Sequence, residues 1–419
     1  MTMAMRAVRG FLLIALIAGD WGWSQTKNAA RLVLSEPVHH RDWMAFEPMV
    51  VQHPNGTLFV SGYGAGMLNQ RPLLWRSRDH GATWTRVNVG TEADGALGNS
   101  DVDLAVASDG TLYFASMGFN NTSHEGAYVA MGVSRDAGAT WSWSLISKNR
   151  FDDRPWVKVA PDGTAHVIWN DGSGVLYRQS RDRGVTWSDP SRIHDQGGSS
   201  HLAVGPNGEI AVRIAPKSAS GHKFHQGVDL IAVSLDGGKS WQKRTAPGER
   251  EWVKEDNAPL PRWVEPVAWD SQGALFSLWT NVKGLWLARS RDKGETWKVW
   301  QLLPTDEVSY YPYLVAGSRP GELAGTWFSG HDDAMQAHLA LFQVSDSDAP
   351  PRVIQSPPFR PDSWTYTRDG DPMLPPTHST GGEYLAVTFL RGDSLGVVSP
   401  MFNPQTKREG FSWWRTDLR

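Results

Sequence analysis

Acidic side chains recur at one position of a pattern that repeats along this chain of 419 residues. They are Glu47, Asp101, Asp153, Glu265 and Asp371, each at the start of a short alternating apolar segment. Carboxylates that crowd together raise one another's pKa, which turns one of them into a proton donor near neutral pH. Such a donor suits cleavage of a glycosidic bond, in which one acid protonates the leaving oxygen and another group supports the positively charged sugar.

Side chains able to bind a ligand lie at the same starts or where the second strand of a repeat ends. Arginine binds carboxylates through its planar fork, and flat aromatic faces can stack on sugar rings. The predicted substrate-binding residues are Arg154, His201, Arg213, Asp371, Arg391, Trp279 and Tyr63. Two alternatives stay open: a carboxylate before proline can simply bond nearby backbone N–H groups, and a tryptophan such as Trp279 can pack between sheets.

The repeat itself predicts the elements that hold these residues. Each segment consists of two period-2 strands joined by an NG, DG or GG turn. A third strand follows, and a fourth comes after an octapeptide that recurs along the chain. Four strands per repeat, arranged radially, are a β-propeller blade. The seven segments are 47–64, 101–118, 153–170, 200–215, 265–281, 311–329 and 371–391, with starts about 54 residues apart on average.

We therefore predict an all-β fold: a seven-bladed propeller, with six blades as the alternative, in one domain spanning residues 30–419. The stretch 30–38 (ARLVLSEPV) precedes the first blade and is expected to pair with the last one. Such pairing closes the ring and leaves no sheet edge exposed.

The octapeptide occurs five times: SRDHGATW at 77–84, SRDAGATW at 134–141, SRDRGVTW at 180–187, SLDGGKSW at 234–241 and SRDKGETW at 290–297. Its aspartate can accept hydrogen bonds from backbone N–H groups, and its glycine tolerates positive φ. The terminal tryptophan resumes strand pairing and buries a large apolar face. The motif therefore predicts a turn. Blade six has only the degenerate SDSDAPP at 345–351, and blade seven has no copy.

These octapeptides resemble the Asp boxes of the sialidase superfamily, whose members are β-propellers. The resemblance implies that each box joins the third and fourth strands of a blade, on the rim opposite the active site. It also implies that the box aspartates are structural: Asp79, Asp136, Asp182, Asp236 and Asp292.

The chain departs from the sialidase pattern at the start of the first blade. Sialidases carry an Arg-Ile-Pro triplet there, and its arginine is one of three that grip the substrate carboxylate. The triplet in register here is Glu47-Pro48-Met49. The resemblance therefore supports the fold more firmly than it supports sialic acid as the substrate.

The resemblance also implies catalytic roles for two side chains. Sialidases use a tyrosine nucleophile activated by a glutamate, and Tyr311 (with Tyr310 beside it) and Glu265 are the counterparts here. Asp101 or Asp153 would serve as the acid partner, and Glu47 completes the predicted catalytic set.

Composition and the N-terminal residues predict the protein's location, partners and cofactors. Arg6 and Arg9 precede the apolar run 11–18, which reads as a signal peptide ending near residue 25, so the protein is expected to be secreted or periplasmic. A net charge of -3 argues against nucleic acid as a partner, and no later apolar stretch predicts a membrane span. The absence of cysteine excludes thiolate chemistry, and we predict no cofactor and no metal.

Three functions remain open from the residues alone. The first is an exported glycoside hydrolase that removes terminal sugars from glycans or polysaccharides. The second is a non-catalytic propeller that binds a glycan or a protein, because a fold does not fix a function. The third is a polysaccharide lyase that uses His201, Tyr311 and Arg154 for proton abstraction.

Overall fold

Six four-stranded antiparallel sheets and one five-stranded sheet surround one axis in the computed structural model, which confirms the all-β, seven-bladed prediction and makes the six-bladed alternative wrong. The only helical turn among the described residues is the 3-10 turn Glu92–Asp94, and none of them forms a helix able to span a membrane. The structure describes residues 31–43, 45–64, 71–120, 122–123, 125–195, 198–215, 227–248, 251–252, 265–281, 284–304, 309–330, 335–361, 365–366, 378–379, 384–403 and 408–418.

Blades one to three each run outward from the axis in chain order. Blade one has β3 (Phe46–Gln52), β4 (Leu58–Tyr63), β5 (Leu73–Ser77) and β6 (Thr85–Arg86). Blade two has β7 (Ser100–Val106), β8 (Leu112–Asn120), β9 (Glu125–Ser134) and β10 (Ser142–Ser147). Blade three has β11 (Asp153–Val159), β12 (Ala165–Asp171), β13 (Gly174–Ser180) and β14 (Ser191–His194).

Blades four to six repeat this order. Blade four has β15 (Gly198–Val204), β16 (Ile210–Ala215), β18 (Leu230–Ser234) and β19 (Gln242–Thr245). Blade five has β21 (Val267–Trp269), β22 (Leu275–Asn281), β23 (Gly284–Ser290) and β24 (Lys298–Pro304). Blade six has β25 (Ser309–Ala316), β26 (Glu322–Ser329), β27 (Gln336–Gln343) and β28 (Arg352–Gln355). Two short ladders lie outside the blades: β17 (Gly227–Val228) with β20 (Glu251–Trp252), and β29 (Thr365–Tyr366) with β30 (His378–Ser379).

Strands from both ends of the described chain build blade seven. They are β31 (Ala386–Leu390), β32 (Ser394–Asn403), β33 (Arg408–Leu418), β1 (Leu32–Leu34) and β2 (Val38–Arg41), and both N-terminal strands pair with β33. The predicted closure by residues 30–38 is thereby confirmed. No third-to-fourth turn exists within this blade, because its outer strand comes from the opposite end of the chain, and this explains why blade seven lacks the octapeptide.

The predicted hairpin at 371–391 of blade seven is wrong. The inner strand β31 pairs with β32 across a turn at 391–393 (RGD), not across the earlier GG pair that suggested a turn. Asp371 and the predicted signal peptide both lie outside the described residues.

Packing between blades supplies the core. The second strand of a blade is buried on both faces, as in β12, where every residue is buried. Blades two and three share one cluster, in which Tyr113 and Met131 of blade two pack with Val167 and Trp169 of blade three. Burying an aromatic or aliphatic side chain of this size stabilises the fold by about 1.5–3 kcal/mol, so the ring is stabilised blade by blade.

Each octapeptide forms the turn between the third and fourth strands of blades one to five. In blade one, Asp79 accepts bonds from the Thr83 amide at 2.9 Å and the Thr83 hydroxyl at 2.5 Å, while the Gly81 amide donates to Ser77 Oγ at 2.8 Å. These donors, those of Thr83 above all, lower the pKa of Asp79 to about 2. Gly81 has φ +91° and leaves no room for a Cβ beside Trp413, so only glycine fits there.

Blade six holds its degenerate turn with arginines from blade five. Arg289 donates to the carbonyl oxygens of Ser345 and Ser347 at 2.5 and 3.2 Å, and to Asp348 Oδ1 at 3.1 Å. Arg291 donates to the Asp346 carbonyl. The neighbouring blade therefore replaces the hydrogen bonds that the box aspartate makes elsewhere.

The box hydrogen bonds predict an acid-sensitive element. Because the folded-state pKa of Asp79 is about 2 and its ordinary value is 3.8, the bonds stabilise the fold above about pH 4, and this contribution is lost as the pH falls towards about 2. We expect Asp79→Asn to reduce the pH dependence of the unfolding free energy in that window, measured by denaturant titration. Asp189→Asn, an exposed aspartate outside the box, should leave the dependence unchanged.

Candidate active site

A strained bulge recurs at the start of the inner strand in blades one, three and six. Glu47, Arg154 and Tyr311 have φ of +42°, +51° and +49°, although each is a non-glycine residue that precedes proline. Strand pairing shifts by one residue at all three sites. Left-handed backbone at a non-glycine residue costs about 1–3 kcal/mol and concentrates at functional sites. The three bulges therefore mark the face of the propeller where the inner strands begin, here called the mouth.

The mouth brings together most of the predicted catalytic residues. Asp101 lies at the corresponding pairing shift of blade two, and Asp153 directly precedes Arg154. The inner strands of neighbouring blades touch around the ring, so these positions surround the axis. Glu47, Arg154 and Tyr311 are 7 %, 7 % and 5 % exposed, which places them at a largely buried constriction rather than on an open surface.

Arg154 reaches across the ring. Its Nη1 donates to the hydroxyl of Tyr384 at 2.7 Å, and its Nε lies 4.0 Å from Asp153 Oδ2. Arg154 belongs to blade three, and Tyr384 lies two residues before β31 of blade seven. A hydrogen bond between blades that are not neighbours shows that the axis is narrow at this level.

Four aromatic side chains fill the axis: Trp156, His201, Tyr313 and Tyr384, called the axial cluster below. His201 stacks on Trp156 with ring centres 4.6 Å apart, and Tyr384 meets Trp156 edge-on at 5.2 Å. Tyr313 meets His201 edge-on at 5.4 Å, and its hydroxyl lies 3.7 Å from Met49 Sδ. Contacts among blades one, three, four, six and seven close the channel at this depth.

His201 is a buried neutral base. It is 4 % exposed, and neither ring nitrogen has a hydrogen-bond partner in the described part of the chain. Burial above all, then the charges of Lys158, Arg154 and Arg213, hold its pKa well below the ordinary value. The imidazole is therefore uncharged at neutral pH, and it lies within the axial cluster instead of lining an open cleft.

Arg213 and Glu265, predicted to bind substrate and to act in catalysis respectively, form a buried ion pair with each other. Arg213 Nη2 lies 2.7 Å from Glu265 Oε2 and 3.0 Å from Asp229 Oδ1. Burial acts to lower the pKa of Arg213, but the two carboxylates outweigh it and raise that pKa. Arg213 has no exposed surface and Glu265 is 1 % exposed, so this ion pair is shielded from solvent.

Two of the predicted binding residues are placed differently from the prediction: Trp279 is buried, and Arg391 lies on the face opposite the mouth. Trp279 is 2 % exposed and stacks on Trp286 at 6.2 Å, which favours the packing alternative. Arg391 lies in the β31–β32 turn, where its backbone N–H donates to Gln52 Oε1 at 2.8 Å. First-to-second-strand turns lie on the octapeptide face, so the prediction that Arg391 faces the mouth is wrong. Its misplacement follows from the wrong hairpin assigned to blade seven.

Tyr63 does lie at the mouth. It ends β4 and stacks on Phe46, the residue before the bulge at Glu47, with ring centres 5.5 Å apart.

On the face opposite the mouth, a cavity of about 450 Å³ is lined by Gln52, Glu322 and the turn at 391–393. That cavity lies among the inner-strand ends, and none of the predicted catalytic residues lines it.

Sequence reasoning missed two residues at the mouth. Asp152 is fully buried, and burial first, then Asp171 and Asp153, raises its pKa to about 6. Its carboxylate accepts bonds from Ser147 Oγ at 2.9 Å and the Asn149 amide at 2.8 Å. The adjacent pair of aspartates at 152–153 was the available signal. The sequence carried no signal for Tyr384, because only the position of β31 in the fold places it at the mouth.

Within the described residues, no group of three or more His, Asp or Glu has the arrangement of a metal site.

Residues 18–324 match the family model described as the BNR repeat-like domain. The chain belongs to this family. The resemblance inferred from the octapeptides is thereby confirmed for a sialidase-like BNR repeat propeller. A search of curated proteins returned no match to this BNR repeat-like protein.

Solved structures share the fold of the BNR repeat-like protein at low identity. The GH93 alpha-L-arabinofuranosidase of Fusarium graminearum, in complex with arabinobiose, has a TM-score of 0.52 at 12 % identity, covering 92 % of this chain and 98 % of that one. The GH74 xyloglucanase of Xanthomonas campestris has a TM-score of 0.51 at 14 %, covering 91 % and 55 %. YCF48, solved with a bound peptide, has a TM-score of 0.50 at 15 %, covering 93 % and 95 %. At these identities the likeness shows the fold alone.

Proposed function

We propose that the BNR repeat-like protein is a glycoside hydrolase whose active site is the mouth. The observation that carries this proposal is the recurrence of left-handed backbone at Glu47, Arg154 and Tyr311. The propeller does not require this strain at every inner-strand start, because Glu265 of blade five also precedes proline and has no positive φ. A site that needs these side chains in one orientation explains the strain.

The residues at the mouth supply the groups that glycoside hydrolysis needs. Carboxylates are present at Glu47, Asp101 and Asp153, and hydrolysis requires one carboxylic acid and one carboxylate. Arg154, held by Tyr384, offers donors to sugar hydroxyls, and Tyr63 offers an aromatic face beside the bulge. In this proposal the three carboxylates share the acid and base roles, and Glu265 supports the ring through Arg213.

A neutral terminal sugar fits the mouth better than sialic acid. Glu47 stands where sialidases place a carboxylate-binding arginine, and like charges repel. Arg213, another candidate grip, is committed to Glu265 and Asp229. The likeness to an arabinofuranosidase solved with arabinobiose makes alpha-L-arabinofuranosides the first substrates to test.

A panel of aryl glycosides tests the proposal. We expect the purified protein to hydrolyse at least one neutral glycoside of the panel. Glu47→Gln or Asp153→Asn should then lower kcat/KM by about 100-fold or more while the melting temperature changes little. Asp189→Asn, an exposed aspartate on the octapeptide face, is the matched control. Turnover unchanged in both mouth variants would exclude a hydrolytic role for this site.

A non-catalytic binding propeller is the second candidate, and the closed axis favours it. Among the described residues, the axial cluster and the Arg213 ion pair occupy the centre, and a fold-level neighbour was solved with a bound peptide. No turnover, together with reproducible binding on a glycan array, would support this alternative. A lyase would instead release an unsaturated product that absorbs ultraviolet light. Export remains part of the proposal, and cell fractionation tests it.

A further inference from the structure

A second pocket lies on the mouth side of the propeller, at the outer edge of blade one. It has a volume of about 400 Å³. The segment after β2, the start of β5 and the residues after β6 enclose it, and all three lie at the mouth ends of their strands. The pocket is lined by Trp43, Arg71, Pro72, Arg86, Val87, Asn88, Val89 and Gly90. These outer strands separate it from the inner-strand residues of the proposed active site.

Trp43 exposes its indole to this pocket. It is 42 % exposed, and it makes no ring contact in the described part of the chain, unlike buried tryptophans such as Trp75. The residue before it is fixed, because Trp75 Nε1 donates to Asp42 Oδ2 at 2.8 Å. An exposed tryptophan on an anchored segment offers a flat apolar face without serving the core.

Two arginines give the pocket excess positive charge. Arg86 lies 3.6 Å from Asp42 Oδ2 and over the Trp75 ring at 5.4 Å. Burial chiefly lowers the pKa of Arg86, and the charge of Arg71, which lines the same pocket, adds to the effect. Arg71 is exposed and has neither a hydrogen bond nor an ion pair within the described residues. Of the two arginines that line the pocket, Arg86 is the one with an ion-pair partner among the described residues, which is Asp42.

We propose that this pocket is a subsite for a carboxylate-bearing sugar unit of a polysaccharide. Trp43 stacks on the sugar ring, and Arg71 and Arg86 bind the carboxylate through their planar forks. The pocket and the mouth share one face, so an acidic chain at the edge of blade one can present neutral side-branch sugars to the mouth. The inference rests on the proposed function only in taking a carbohydrate as the ligand.

Binding to soluble polysaccharides tests the subsite. We expect the full-length protein to bind polygalacturonate, and both Trp43→Ala and Arg71→Ala to weaken binding by about tenfold, which calorimetry resolves. Matched controls are Leu235→Ala and Arg391→Ala, which remove exposed side chains on the opposite face. Neither pocket variant should change kcat/KM on a small aryl glycoside, so failure of the active-site proposal remains distinguishable.

Methyl-esterified polygalacturonate and dextran sulfate test whether the pocket recognises the carboxylate group of the sugar or any polyanion. Loss of binding on esterification supports recognition of the carboxylate. Equal binding of the esterified polymer would overturn the proposal, as would affinities unchanged in both pocket variants. If dextran sulfate bound as tightly as polygalacturonate, and salt abolished the binding of both polymers, the pocket would attract polyanions non-specifically. That result would also overturn the proposal.

Discussion

Glu265→Gln is expected to lower the free energy of unfolding by about 3–5 kcal/mol. Glu265 and Asp229 face Arg213 at 2.7 and 3.0 Å, and all three side chains are at most 2 % exposed. Removing one carboxylate from a buried pair leaves its partner charge less compensated, and water cannot replace it. Denaturant titration at neutral pH measures the loss.

An exposed ion pair of the same length provides the control. Arg319 Nη2 lies 2.7 Å from Asp393 Oδ1, but these side chains are 58 % and 72 % exposed. Asp393→Asn should cost less than about 1 kcal/mol, because solvent screens exposed pairs. If Glu265→Gln kept full stability and lost turnover, Glu265 would act in catalysis after all, and the structural role assigned here would be wrong.

Arg154→Lys is expected to lower kcat/KM by about 100-fold or more on any glycoside that the protein hydrolyses. Lysine keeps the charge but lacks the planar fork, with which Arg154 donates to Tyr384 at 2.7 Å and, in the proposed active site, also to a substrate. Steady-state kinetics measure the change, and the melting temperature shows whether the fold persists.

Tyr384→Phe distinguishes a role of Tyr384 in positioning Arg154 from a role in stabilising the propeller. The variant keeps the aromatic contact with Trp156 at 5.2 Å and removes only the hydroxyl. If Tyr384 positions Arg154, kcat/KM falls by about tenfold through KM, with the melting temperature little changed. Wild-type kinetics in both variants would show that this cross-ring bond serves only the fold.

Much of the fold could be predicted, because its cues are local. Period-2 segments, tight turns and the octapeptide each depend on residues close in sequence, so the first six blades and the closure by residues 30–38 were correct. Blade seven was misassigned because its GG pair resembled a hairpin turn. No local cue distinguishes that pair from the turn at 391–393 that the sheet uses.

Less of the site could be predicted, because burial and partner choice depend on residues far apart in sequence. Arg213 and Glu265 each looked available for chemistry, but they are 52 residues apart and meet each other. Tyr384 gained significance only through Arg154, 230 residues away. Ring closure creates these contacts, and sequence periodicity carries no information about which side chains then meet across the axis.

The sequence by itself determined the repeat, the turn chemistry of the octapeptides and the set of acids that begin the inner strands, because each depends on short-range hydrogen bonding and alternation. Only the tertiary structure decided which of these side chains stay at the mouth. The axis has room for few groups, so packing buried His201 in the axial cluster and Arg213 and Glu265 in an ion pair. It left Glu47, Arg154 and Tyr311 on strained bulges at the constriction, where chemistry is possible.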